Sequence, residues 1–370
     1  MPIPYLDDEN HVILSSVDET IIQHGAEFNL GIHKYSGDIF YPKGHQYIRE
    51  FNCDGVPKTI YRVGGVLLSK ENMFSSRENR LMIRYKLIDA HSPTIIRFKP
   101  FLAFRKASQL TRENDQVDRS YRQVENGIST CMYSGYPELF IQFNKKPEFI
   151  YHPDWYRGIE YIQDQQNGDS YQEDLYVPGY FEMSIEKDEE IILSASDIVV
   201  DTSILFDEFE YELKKRTPRS NFYNCLRNSS HQFYYIPKNG ETYLLAGYPW
   251  FKVRARDLFI SLPGSTLAVD RGDDFEKIMD SAIPHLMDFM EEKTLKNIIK
   301  QIDDPDVLLW AIWALQQYWK ENKEAFKAKY PPFLFFVMNY ILANKHPNLK
   351  VIKETGLVFT NGHDVAVSWM

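Results

Sequence analysis

The spacing of the apolar residues changes half-way along the chain, and this change limits the folds that the chain can adopt. In the first half, apolar and polar residues alternate with period two, for example over residues 83–87, 139–143 and 181–185. In the second half, apolar residues recur about every 3.6 residues, for example over residues 275–290 and 309–319. Alternation is typical of strands with one buried face, and the longer period is typical of amphipathic helices. We therefore predict an antiparallel β-sandwich followed by an all-α domain.

The length of the chain also favours a multidomain protein. A chain of 370 residues exceeds one ordinary domain, and 44% hydrophobic residues supply enough apolar material for two cores. The period-two runs and their turn signals place the β-sandwich domain over residues 1–205. A charged amphipathic segment, residues 201–215, begins a helical linker over residues 206–245. The helical domain is expected over residues 246–370.

Composition excludes several classes of function. A net charge of -10 without a long basic run argues against nucleic acid and against an anionic membrane as partners. The most apolar run, residues 331–343, is shorter than the ~20 residues that span a bilayer. Three cysteines lie far apart in the sequence, which fits neither a zinc site nor a disulfide framework and favours a reducing, cytoplasmic compartment. We expect no signal peptide at the N-terminus, no metal and no organic cofactor.

One aromatic stretch, residues 246–264 with the sequence AGYPWFKVRARDLFISLPG, carries the strongest chemical signal. Its turn residues predict a loop that enters a helix and stops at Pro263-Gly264. Arg256 and Asp257 lie among aromatic side chains, a combination suited to a sugar. Aromatic rings cover the C–H face of a pyranose, while charged groups form strong hydrogen bonds to its hydroxyls. The alternative is a buried Arg–Asp pair that braces the loop.

Four further segments have structural interpretations. The acidic run over residues 163–174 does not match a calcium loop and predicts a solvated loop. Helices are expected over residues 306–322 and from Pro331 to about residue 344, with proline in a first turn. Trp313 and Trp319 are interpreted as packed core. A loop is predicted for the tail over residues 354–370.

Several short motifs also occur in a fixed order along the chain. In the second half they are AGYPWF (246–251), RD (256–257), LPG (262–264), DVLLW (306–310) and SWM (368–370). In the first half they are YPKGHQY (41–47), LTREN (110–114) and EDLYVPG (173–179). Together they resemble the motifs of bacterial glycogen debranching enzymes of the amylo-α-1,6-glucosidase type. The resemblance covers nearly the whole chain.

This resemblance implies an N-terminal sandwich domain and the first part of a catalytic (α/α)6 barrel of paired helices. It implies a substrate-binding set for a branched α-glucan or oligosaccharide. That set is Asp257, Arg256, Trp250, Asp306, Trp310 and Trp369.

The resemblance also implies a role for each of these residues. Asp257 and Asp306 would hold hydroxyls of the glucose unit in the first subsite. Arg256 would fix Asp257 through a forked contact or reach the sugar itself. Trp250 and Trp310 would be walls for the sugar ring, and Trp369 would flank the catalytic acid; packing in the core is the alternative for each aromatic residue.

The chain departs from the family pattern at four places. Arg254-Ala255 stands where the family usually has Trp-Gly, and Asp303-Asp304-Pro305 replaces Tyr-Asn-Thr. The family's Gly-Leu-Ile-Pro-Asn loop has no clear counterpart between residues 290 and 302. The given sequence ends at Met370, where the family's proton donor would come next. We therefore expect a truncated barrel that lacks the catalytic acid and base, and no catalytic residue is assigned.

Three functions follow as hypotheses. The first is a parent glycoside hydrolase that removes α-1,6-linked glucose from glycogen-like glucans by an inverting acid/base mechanism. The second is a non-catalytic carbohydrate-binding protein. The third is a structural or vestigial fragment without either activity. The oligomeric state does not follow from the sequence.

Overall fold

The computed structural model describes residues 1–360 apart from residues 2, 4, 8, 77, 238, 249–250 and 295–297. Trp250 and Trp369, two predicted sugar-binding residues, therefore lie outside the described residues. The chain divides into two compact units, Met1–Pro218 and Arg219–Met370. No helix among the described residues combines the length and apolar character needed to cross a bilayer.

The first unit contains two antiparallel sheets. In spatial order, the seven-stranded sheet comprises β2 (Ala26–Asn29), β1 (His11–Gln23), β9 (Thr94–Lys106), β14 (Gln172–Ile185), β13 (Glu148–Glu160), β3 (His33–Tyr35) and β4 (Ile39–Tyr41). The eight-stranded sheet comprises β10 (Arg122–Val124), β11 (Gly127–Thr130), β12 (Leu139–Phe143), β15 (Glu190–Ser196), β8 (Arg80–Asp89), β7 (Val66–Phe74), β6 (Lys58–Val63) and β5 (Ile48–Asn52). The predicted antiparallel strand-rich domain is confirmed.

Aromatic side chains from both sheets form the core of this unit. Phe98 of β9 contacts Tyr85 of β8 and Phe143 of β12, with ring centroids 4.8 and 5.2 Å apart. Phe181 of β14 contacts the same Phe143 at 5.0 Å. Each fully buried side chain of this size contributes roughly 1.5–3 kcal/mol. The contacts run between residues from opposite sheets, as the period-two pattern requires.

Helix α2 (Leu205–Lys214) packs on the eight-stranded sheet. Its Leu205 and Phe209 are buried against Met82 and Ile192. The guanidinium of Arg84 lies 4.4 Å from the Phe209 ring centroid, so it adds a cation–π contact. The first helix of the segment that we interpreted as a linker therefore belongs to the first compact unit.

The acidic run over residues 163–174 is only partly a solvated loop. It includes most of helix α1 (Ile162–Asn167) and continues into β14. Asp169 is exposed, but Glu173 is completely buried, with 0% of its surface accessible. The prediction is therefore wrong for Glu173, because this carboxylate has buried partners that are distant in the sequence. It accepts hydrogen bonds from Arg105, Tyr161 and the Thr111 amide.

The second unit is largely helical. Its helices are α3 (Phe222–His231), α4 (Ala255–Ser265), α5 (Gly272–Met290), α6 (Val307–Glu321), α7 (Lys323–Lys329) and α8 (Pro331–Leu342). Two short antiparallel pairs accompany them, β16 (Tyr234–Tyr235) with β17 (Tyr243–Leu244) and β18 (Leu349–Val351) with β19 (Val358–Thr360). The helices predicted from periodicity and from Pro331 are confirmed.

Helix α4 ends at Ser265, one residue after the predicted stop at Pro263-Gly264, and Phe259 and Leu262 of its last turns are buried in the core. Two local predictions in this unit are wrong. Trp313 and Trp319 are 36% and 40% exposed, since the buried face of α6 consists of other, mostly smaller residues such as Ala311. The tail that we predicted as a loop contains β19, and its last ten residues lie outside the described residues.

Glu276 of α5 provides a test of the electrostatics of this unit. It accepts hydrogen bonds from the Tyr318 hydroxyl and from Nζ of Lys329, the latter at 3.1 Å. Tyr318 and Lys329 together hold the pKa of Glu276 below its ordinary value of 4.5. A carboxylate with a depressed folded-state pKa stabilises the fold above its unfolded-state pKa, and this contribution is lost as the pH falls through the folded-state pKa.

We expect Glu276→Gln to destabilise the second unit at neutral pH and to lose this effect in acid. The free energy of unfolding, measured by urea denaturation from about pH 7 to about pH 3, should show a wild-type advantage that shrinks as the pH falls. Asp273→Asn in the first turn of the same helix is the matched control, because Asp273 is exposed. An equal pH dependence in both variants would contradict the prediction.

Candidate functional site

The first turns of α4 and α6 lie together, because the loop that precedes α6 pairs with the residues that precede α4. The Lys300 amide donates to the Val253 carbonyl at 2.9 Å, and the Ala255 amide donates to the Lys300 carbonyl at 3.0 Å. These bonds form a parallel bridge between Arg254 and Lys300. The Lys300 carbonyl thereby satisfies the first amide of α4, which has no side-chain cap. The bridge places the loop of residues 300–306 beside Arg256.

Arg256, in the first turn of α4, holds two carboxylates from that loop. Its Nε donates to Oδ1 and Oδ2 of Asp306 at 3.0 and 2.8 Å. Its Nη2 lies 2.9 Å from Oδ2 of Asp304. The Arg256 and Asp306 side chains are each 15% exposed. The predicted forked contact between Arg256 and Asp257 is therefore wrong, because the bridge at Lys300 brings Asp304 and Asp306 to the guanidinium instead.

Trp310 is linked to this cluster through Asp306. Asp306 is the N-terminal cap residue of α6, where the helix dipole favours a negative charge. One turn later, Nε1 of Trp310 donates to Oδ2 of Asp306 at 3.0 Å. The Trp310 ring also meets Trp313 edge-on, with centroids 5.5 Å apart. Trp310 is half-buried, so part of its surface remains accessible beside the two carboxylates.

Asp257 is positioned differently from the other carboxylates of the group. It lies in the first turn of α4, one turn before the exposed Ser261, and it is half-buried. Among the described residues, no side chain donates a hydrogen bond to its carboxylate. Burial raises the pKa of Asp257 above its ordinary value, although Arg254 and Arg256 act in the opposite direction. A half-buried carboxylate with unused acceptor positions can take hydroxyl groups of a ligand.

Arg254, which acts electrostatically on Asp257, contacts Phe251 of the preceding loop. The Arg254 guanidinium lies 4.3 Å from the Phe251 ring centroid, and Phe251 is exposed. The residues that the structure brings together are thus Arg256, Asp306 and Trp310, with Asp257 on the same first turn as Arg256. Trp250 and Trp369 cannot be placed, since both fall outside the described residues.

The sequence interpretation missed one member of the cluster, Asp304. The only signal was the departure Asp303-Asp304-Pro305 from the family pattern, which puts two acidic residues before Asp306. Asp304 is about a quarter exposed, and burial raises its pKa although Arg256 acts to lower it. Within the described part of the chain, no group of three or more His, Cys, Asp or Glu residues is arranged to hold a metal ion.

A surface cavity of about 300 Å³ lies at the opposite end of the two helices. It is lined by Pro263 and Gly264 near the end of α4 and by Trp313, Gln317 and Glu321 from the middle to the end of α6. Because Arg256 and Asp306 are paired at the other end, α4 and α6 run side by side in the same direction. The N-termini of both helices therefore lie at the cluster formed by Arg256, Asp304, Asp306 and Trp310.

Two family models match the chain and cover most of it. Residues 2–192 match the model described as glycogen debranching enzyme, N-terminal. Residues 225–370 match the model described as amylo-alpha-1,6-glucosidase. The chain belongs to the glycogen debranching enzyme family. The resemblance inferred from the short motifs is therefore confirmed, and this debranching-enzyme chain is a member of a glycoside hydrolase-like family.

Solved structures resemble the debranching-enzyme chain only weakly. A bacterial glucoamylase complexed with acarbose is 10% identical, with a TM-score of 0.36, and the match covers 90% of this chain and 61% of that chain. A polysaccharide lyase is 11% identical, with a TM-score of 0.26, and the match covers 57% of this chain and 28% of that chain. Neither similarity is high enough to carry a conclusion about function. A search of curated protein sequences gave no match.

Proposed function

We propose that the natural full-length protein is a glycoside hydrolase that removes α-1,6-linked glucose from branched glucans of the glycogen type. The observation that carries this proposal is Asp257, a half-buried carboxylate with unused acceptor positions on the same helical turn as the Arg256 cluster. The membership of the chain in the glycogen debranching enzyme family supports the same substrate class.

In this proposal the cluster binds one glucose unit. Asp257 accepts hydrogen bonds from sugar hydroxyls, and Oδ1 of Asp306 retains acceptor capacity because Nε of Arg256 is its only described donor. The accessible part of Trp310 covers the C–H face of the ring. Trp250 is proposed as a further wall of the ring, and Trp369 is proposed to flank the catalytic acid. Hydrogen bonds that strengthen as the sugar becomes oxocarbenium-like lower the barrier.

Cleavage itself requires two further groups. An inverting enzyme uses one carboxylic acid to protonate the leaving oxygen and a second carboxylate, ~6.5–9.5 Å away, to activate water. We assign neither role to Asp257 or Asp306, which hold the substrate. The helical unit is proposed to form part of an (α/α)6 barrel, since α4 and α6 run in the same direction with α5 between them in the sequence.

Release of glucose from a branched limit dextrin tests the proposed function. The full-length protein should produce free glucose from this substrate and none from linear maltodextrin of the same length, since the proposed bond is the α-1,6 linkage. Glucan binding without glucose release would favour the non-catalytic alternative. Absence of both binding and release at millimolar glucan would reject the proposal.

A further inference from the structure

Asp304 lies at the far end of a chain of contacts that leads to Trp310. Oδ2 of Asp304 is 2.9 Å from Nη2 of Arg256. Nε of the same guanidinium is 2.8 Å from Oδ2 of Asp306. That oxygen also accepts the hydrogen bond from Nε1 of Trp310 at 3.0 Å. The first link is an ion pair, and the other two are hydrogen bonds.

The guanidinium can transmit an orientation because it is planar and rigid. Its donors keep a fixed geometry, so a carboxylate that holds Nη2 also sets the direction in which Nε points. Loss of Asp304 removes the described contact at Nη2, so Arg256 could turn to present two nitrogens to Asp306, the usual geometry of an Arg–carboxylate pair. The Asp306 carboxylate would then turn, and its bond to the Trp310 indole would change with it.

The backbone favours a fixed position for Asp304. It precedes Pro305, which disfavours the helical region for the residue before it. Its carbonyl accepts from the Val307 amide at 3.2 Å. The Asp304 side chain is 26% exposed, so water screens its contact with Arg256 only in part. Neighbouring Asp303 is exposed and has no described ion pair.

We propose that Asp304 is a positioning residue that sets the orientation of the Trp310 indole through Arg256 and Asp306. The consequence for substrate rests on the proposed function, in which Trp310 is a wall of the glucose site. Asp304 does not touch the sugar in this arrangement. Instead, Asp304 fixes the angle at which the Trp310 ring meets the sugar.

Fluorine NMR of protein labelled with 5-fluorotryptophan reads this orientation directly. The chain has six tryptophans, and the Trp310 signal is assigned with Trp310→Phe. We expect Asp304→Asn to shift the Trp310 signal, while the matched control Asp303→Asn leaves it in place. Trp155, in the other compact unit, serves as an internal reference. Arg256→Lys should also shift the Trp310 signal, because a single ammonium cannot replace a planar guanidinium that contacts both Asp304 and Asp306.

The affinity for a short α-1,6-branched oligosaccharide is then measured on the same samples. Asp304→Asn should weaken binding up to about tenfold, because a turned indole loses part of its contact with the face of the sugar ring. An unchanged Trp310 signal in Asp304→Asn overturns the inference, and so does a shifted signal with unchanged affinity. A shifted signal in a protein that binds no sugar supports the contact chain and rejects the proposed function instead.

Discussion

Replacing Asp257 by Asn is expected to reduce glucose release from a branched limit dextrin by a factor of about 100 or more. The physical reason is the loss of a charged acceptor that strengthens its hydrogen bonds to sugar hydroxyls as the transition state forms. Removing one such preorganised group commonly costs ~10²–10³ in turnover. Initial rates of glucose release by the full-length protein provide the measurement.

The matched control for this prediction is Asp270→Asn. Asp270 is an exposed aspartate in the same compact unit, and its φ of 58° is one that Asn adopts readily. The control should keep the wild-type rate. Equal rates for Asp257→Asn and wild type would remove Asp257 from the glucose site.

Stability measurements separate a lost function from a lost fold. Burial raises the folded-state pKa of Asp257 above its ordinary value of 3.8. The folded protein therefore binds this proton more tightly than the unfolded chain, and stability from this group rises as the pH falls through the folded-state pKa. The ionised Asp257 thus costs stability at neutral pH, and Asp257→Asn should not lower the free energy of unfolding. Sugar binding by the wild type should weaken over the same pH window.

The second large effect is expected in the β-sandwich, where Glu173→Gln should lower the free energy of unfolding by about 3 kcal/mol or more. Nη2 of Arg105 donates to Oε2 of Glu173 at 3.0 Å, and the Thr111 amide donates to Oε1 at 3.0 Å. The Glu173 side chain is fully buried and that of Arg105 is 13% exposed. Loss of the carboxylate charge leaves a largely buried guanidinium without compensation, which is the costly outcome for a buried ion pair.

Hydrogen exchange of the β9 and β14 amides measures this effect within the sandwich. Asp169→Asn is the control, because Asp169 belongs to the same acidic run but is exposed. Its substitution should change the free energy of unfolding by no more than about 0.5 kcal/mol. Protection factors that fall equally in both variants would contradict a special role for the buried carboxylate.

Much of the fold can be predicted from local sequence. The alternation at residues 83–87 predicts a strand, and the 3.6-residue period at 275–290 predicts a helix; β8 and α5 lie there. Helix α4 likewise ends at Ser265, one residue after the turn residues Pro263-Gly264 that predict its stop. The same reasoning failed for Trp313, because residue size alone does not decide which face of a helix is buried.

The residues of the candidate site were predicted in type but not in pairing. Arg256 and Asp257 were singled out together because they are adjacent in the sequence. The structure instead pairs Arg256 with Asp306, fifty residues away, and with Asp304, whose only sequence signal was a departure from the family pattern. Glu173 repeats this pattern, since its partner Arg105 is 68 residues away.

The sequence by itself determined most of the strands and helices and the family that the chain belongs to. These properties depend on spacing and on short motifs, and both are written in residues that are close together along the chain. Only the tertiary structure decided that Asp306 pairs with Arg256, that Glu173 is buried and that Asp257 keeps acceptor positions for a ligand. Those outcomes depend on which distant segments meet, because the environment of a charge is set by its neighbours in space.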